Sequence, residues 1–250
     1  MEDLDRLRAV SKVARQVDLP CLQRPPVPPS APPTQQLVEF GISLYGYSVF
    51  CHFREMLQSF ICVAGAGLVP ASFLVARVMF EMAAHTYYVQ KHLDQYLKEK
   101  NLCKVEKFLD GVNTGSRYLQ EQSVEIKKEY HIQYEFDAPV DVAKAINCLD
   151  EYARKANGKP GDSWQDYSFL SEFCHPNSLA FMHYYEVSPS GIRFKGPSSE
   201  LHLVTPPVVM STAEILQFID RALGLAGETN LRAGIKACVD EFLRVTRPGV

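Results

Sequence analysis

From Met56 to Ala76 the chain reads "MLQSFICVAGAGLVPASFLVA", 21 residues without a charge. That length alone suits a membrane span. Gln58, Ser59, Gly65, Gly67, Pro70 and Ser72 interrupt it. Glycine ends helices and proline is welcome in a first helical turn. The stretch therefore predicts two buried helices meeting at a tight turn, and no membrane partner. Everything outward from this turn is read as a helical bundle.

On either side the pattern stays helical. Helices are expected near 35–64, 70–98, 103–131 and 139–157, with a shorter one near 163–175. Asn157-Gly158 gives a stop, and His175 precedes Pro176 and should leave the helical region. "LAFMHYYE" (179–186) reads as another short helix. "YYEVSPSGIRFKG" (184–196) has a Ser-Pro-Ser-Gly turn between alternating residues, which predicts a β-hairpin. "ELHLV" (200–204) is expected to add a third strand. Ser211–Val245 is helical, with Gly224, Gly227 and Gly234 dividing it into two helices.

Upstream, Leu4, Leu7, Val10, Val13 and Val17 recur at helical spacing. "LPCLQRPPVPPSAPPT" (19–34) follows, with seven prolines, an extended spacer. The organisation is thus a helical arm over 1–19, a proline-rich linker over 20–34 and a bundle domain over 35–250. The β-hairpin lies near 184–204. The fold class is mainly α, a helical bundle with a small hairpin before the C-terminal helix pair. The arm has two readings: packed on its own domain, or reaching a second subunit to make a homodimer.

Composition narrows the function. The 250 residues are 46% hydrophobic and 22% charged, enough for a sizeable core. The net charge of −3 argues against a broad DNA-binding surface. Seven cysteines are scattered singly, with no CxxC pair, which excludes a disulfide framework or zinc ribbon. They read as small buried residues of a cytoplasmic protein. The opening "MEDLDRLRAV" is charged throughout, unlike a secretory leader.

Two polar stripes carry the candidate chemistry. On the helix after Pro70, Arg77, Glu81 and His85 stand four apart among apolar residues. Eight residues of helix turn through about 80° over about 12 Å, so the three share one broad face. The stripe continues through Tyr88, His92, Gln95 and Glu99, as a solvated strip does. The second stripe is "YSFLSEFCHPNS" (167–178), which spaces Tyr167, Ser171 and His175 equally. Taken alone, its serine bonds back to its own helix and its histidine caps the end. If both stripes meet, Arg77 stabilises a phosphate and His85 and His175 do acid–base work, oriented by Glu81 and Tyr167. Glu81, His85 and His175, with Cys174 nearby, form a weak metal set. No HExxH motif or Gly-rich phosphate loop exists, so no metal and no cofactor are assigned. His52, His131, His183 and His202 stand outside both stripes.

"GLVPASFLVARVMFEMAAHTYYV" (67–89), followed about 80 residues later by "YSFLSEFCHPNS", resembles an uncharacterised group of bacterial helical proteins. The marks are an Arg-x-x-x-Glu helix after a Gly-x-x-Pro-like turn, and a later Tyr-x-x-Leu-Ser-x-x-x-His segment. Here these are Arg77 and Glu81, then Tyr167, Leu170, Ser171 and His175. The resemblance spans residues 36–185. That group looks loosely like the HEPN (higher eukaryotes and prokaryotes nucleotide-binding) proteins. The likeness implies homodimers, and in some members RNA cleavage by an Arg-(4 to 6 residues)-His motif. This chain departs from it: seven residues separate Arg77 from His85, and no arginine precedes His175 at the required distance. Two functions follow: a binding or structural module with a polar Arg-Glu-His/Tyr-Ser-His cluster, or an RNA- or nucleotide-directed hydrolase of a defence or toxin system.

Overall fold

The turn at Gly67 sets the architecture. Helix α2 (Gln35–Gly65) ends there, and α3 (Val69–Lys98) starts with proline in its first turn. Gly67 has φ +70°, a conformation that L side chains rarely adopt. Among the described residues no helix is long and apolar enough to cross a membrane. The uncharged stretch is instead split between two antiparallel core helices. Phe53, Leu57 and Phe60 on one, and Phe73 and Ala76 on the other, are fully buried.

The computed structural model describes residues 2–19, 22–23, 25–26, 32–114, 140–158, 162–174, 185–194 and 201–246. Within them the order is α1 (Glu2–Ala14), α2, α3, α4 (Leu102–Thr114), α5 (Val142–Asn157) and α6 (Ser163–Glu172). Strands β1 (Tyr185–Ser188) and β2 (Gly191–Phe194) follow, then α7 (Leu201–Leu225) and α8 (Asn230–Thr246). The expected extension of the fourth helix to 131, and most of the short helix at 179–186, lie outside the described residues. Tyr185 and Glu186, at the end of that segment, are in β1.

Local chemistry sets the ends. Thr34 caps α2 by accepting from the Leu37 amide, and Asp141 caps α5 by accepting from Ala143. Gly158 closes α5 with φ +68°. Gly227 does the same between α7 and α8, and the Glu228 carboxylate accepts from the amides of Asn230 and Leu231. The predicted division of the C-terminal stretch is therefore present.

Helix α3 is the centre of the bundle, packing against α2, α5, α6 and α7. The Phe73 ring stacks on Phe173 at 3.9 Å, and Phe218 of α7 lies 5.0 Å from Tyr87 of α3. Helix α2 meets α7 where Gly46 leaves room for the buried Leu223. Helix α1 packs on α8 and α2 of its own chain. It buries Leu7, Val10 and Ala14 and donates from Ser11 to Gln58 at 3.0 Å.

Two expectations are corrected. Residues 201–204 are not a third strand, because α7 begins at Leu201; Glu200 lies outside the described residues. Leu201, Val204, Val208, Ser211 and Ile215 recur at helical spacing, and this apolar face outweighs the hydrogen bonds lost at Pro206 and Pro207. The hairpin itself is a two-stranded antiparallel pair with Val187 opposite Ile192. The cysteines are mostly not core residues: of the described ones only Cys238 is buried, while Cys62 and Cys103 are exposed. Sulfur is small enough to sit at helix edges, and helical phase rather than residue type decides burial there.

Candidate functional site

The two stripes meet in part. Helix α6 crosses α3 through the Phe73, Phe169 and Phe173 rings, which places Tyr167 beside Arg77. Arg77 Nη2 donates to the Tyr167 hydroxyl at 2.8 Å, and Nε donates to Glu81 Oε1 at 3.0 Å. The guanidinium carbon also lies 5.1 Å from the Tyr167 ring centre, a cation–π distance. Arg77 and Glu81 side chains are 27% and 28% exposed. Burial alone would lower the arginine pKa. Hydrogen bonds with Tyr167 and Cys174 and the Glu81 charge outweigh it, so the net shift is upward.

Ser171 does not join this cluster. Its hydroxyl donates to the Tyr167 carbonyl of its own helix at 2.7 Å. Cys174 likewise donates to the Leu170 carbonyl. His175 lies outside the described residues.

His85 is separated from the cluster by helical phase. The rotation of about 80° between positions 77 and 85 turns it from α6 toward α2. There its Nδ1 lies 3.2 Å from the Tyr45 hydroxyl, and no hydrogen bond joins it to Glu81. Burial pushes the imidazole down to about 4, so the ring is neutral at pH 7 and shares a hydrogen bond with the tyrosine hydroxyl. Burial also raises Tyr45. Further along the stripe, Tyr88 and His92 gather with Tyr96 around Phe108 of α4, while Gln95 and Glu99 are exposed, as a solvated strip requires.

The arrangement binds α6 to α3 through one charge-assisted hydrogen bond and one cation–π contact, while the Arg77–Glu81 ion pair, within α3, orients the guanidinium. It places no neutral histidine beside Arg77 among the described residues. Nor do three His, Cys, Asp or Glu side chains gather there to hold a metal ion.

Two further polar features escape sequence reading. Glu214 on α7 is pushed up to about 7, first by burial and then by the charge of Asp166 on α6. Asp166 is itself raised by burial, then by Asp162 and Asp150. Nearby in sequence, the buried Ser211 and Thr212 hydroxyls have no partner among the described residues. The amphipathic pattern of α7 marks which face is buried, but not which acid meets another across two helices. No family model, no curated protein and no solved structure matches the chain.

Proposed function

We propose that the chain is a binding or structural module whose Arg77–Glu81–Tyr167 cluster is a clasp fastening α6 to the central helix. The observation that carries this reading is the commitment of the guanidinium. Nε donates to Glu81 and Nη2 to Tyr167, so two of its three nitrogens are already engaged within the molecule. The histidine nearest in the stripe packs on Tyr45 and is uncharged at pH 7. General acid–base work needs a group poised near neutrality within reach of the reacting atoms.

The hydrolase reading draws on the meeting of Arg77, Glu81 and Tyr167 and on the HEPN-like resemblance. Both readings are tested together. Purified wild-type protein is incubated with single-stranded RNA and with nucleotides, beside Arg77→Met and His175→Ala. The module reading expects no turnover and a less stable Arg77→Met protein. Turnover by the wild type that a folded Arg77→Met or His175→Ala variant loses would overturn it.

A further inference from the structure

Toward the C-terminal end of α3, three helices border a cleft of about 580 Å³. Helix α3 lines it with side chains between Tyr87 and Glu99, α5 adds Tyr152 and α7 adds Arg221. The two tyrosines belong to one aromatic cluster. The Tyr87 ring lies 4.8 Å from Tyr152 and 5.0 Å from Phe218, and Tyr152 lies 6.0 Å from Phe218. Phe218 is buried and both tyrosines are half-buried. The cleft therefore has a preformed aromatic wall, as small-molecule sites commonly do.

Its charges divide by sign. The acids are engaged. Asp94 accepts from the buried Gln90, and Glu99 accepts from Gln95 at 3.0 Å and from Lys104 at 3.1 Å. Lys91 is engaged as well, donating to Glu151 at 2.7 Å. Two cations remain. Lys98 on α3 and Arg221 on α7 are exposed and make no ion pair or hydrogen bond among the described residues. An acid four residues before a lysine is the favourable helical orientation, yet Gln90 holds the Asp94 carboxylate instead. The Tyr87 and Tyr152 hydroxyls likewise donate to no described residue. The negative ends of α3 and α7 amount to about half a charge each and act within the last turn. They fall short of two full positive charges.

We propose that this cleft binds a small organic dianion with a flat apolar body. Lys98 and Arg221 take its negative charge from two helices, and the body lies on the Tyr87–Tyr152 wall. The tyrosine hydroxyls supply further donors to its oxygens. Arene dicarboxylates and aryl phosphate monoesters share this chemistry, and an arginine fork suits the oxygens of either. Lys98 stands 21 residues after Arg77, about 30 Å of helix, so the cleft is separate from the clasp. The proposal goes beyond the clasp reading and does not depend on it.

Equilibrium dialysis of the full chain tests it, with phthalate and phenyl phosphate as probes in about 0.15 M salt. At least one probe should bind with a dissociation constant below about 1 mM. Which of them binds tells the carboxylate source from the phosphate source. Benzyl alcohol keeps a ring without the charge and should bind at least about tenfold more weakly. Lys98→Met and Arg221→Gln change exposed residues, so the core is untouched, and each should weaken the bound probe at least about tenfold. Lys236→Met removes one charge outside the cleft and should leave binding unchanged. Failure of the wild type to bind either probe overturns the proposal. So does binding that Lys98→Met or Arg221→Gln leaves intact, binding that Lys236→Met weakens as much, or equal binding of benzyl alcohol.

Discussion

Replacing Glu214 with glutamine should stabilise the protein, and only at higher pH. The side chain stands on α7 among buried residues, facing the charge of Asp166, and its carboxyl is pushed from 4.5 up to about 7. A displacement of that size is worth about 3 kcal/mol between the two protonation states. The sign follows from linkage. A carboxyl whose folded value is raised contributes stability present in full below its unfolded value near 4.5, and loses it as pH rises through about 7. Above that the wild type carries a half-buried anion beside a second one. The amide of Glu214→Gln carries no charge at any pH. Any cost of burying it is the same throughout and cancels in the comparison. Urea unfolding followed by far-UV circular dichroism should find the variant gaining about 2–3 kcal/mol on the wild type between about pH 4.5 and about pH 8. Parallel stability profiles for the two proteins would refute the reasoning.

Three other outcomes follow from single contacts. The His85 ring resonances should stay those of a neutral imidazole down to about pH 5, with a midpoint at about 4 in an NMR titration. A midpoint near that of a free histidine would place the ring in solvent. Because its folded value is lowered, His85 contributes stability present above 6.5 and lost as pH falls toward about 4. Ser171→Ala should change stability by less than about 0.5 kcal/mol in thermal unfolding, since its hydroxyl serves only its own helix backbone. Gly46→Ala puts a methyl 2.6 Å from the fully buried Leu223. Overpacking of about 1–3 kcal/mol outweighs the gain in helix propensity of about 1 kcal/mol, so its urea midpoint should fall.

The fold was legible wherever a local rule acted alone. Gly67 and Pro70 turned one uncharged stretch into two helices, and Gly158 and Gly227 stopped α5 and α7. The Ser-Pro-Ser-Gly turn gave the hairpin. The beginning of α7 was missed because five residues, "ELHLV", fit alternation and helical spacing alike. Only the longer run from Leu201 to Ile215 distinguishes them. The site was legible to the same depth. Arg77–Glu81 follows from a four-residue step. The docking of Tyr167 depends on how α6 crosses α3, which the phenylalanine rings decide. His85 looked like part of the same stripe because a helical net ignores neighbours. Eight residues of rotation give it a different one, Tyr45, forty positions away in the chain. The Glu214–Asp166 pairing spans two helices and leaves no mark in either pattern.

The central claim is that Arg77 and Tyr167 are a structural pair holding α6 on α3. A double-mutant cycle with Arg77→Met and Tyr167→Phe, read by urea unfolding, measures that coupling directly. Tyr167→Phe keeps the ring and removes only the hydroxyl. A hydrogen bond from a charged donor at 2.8 Å should then appear as a coupling energy of about 1–2 kcal/mol. Additive losses, with no coupling between the two positions, would contradict the account.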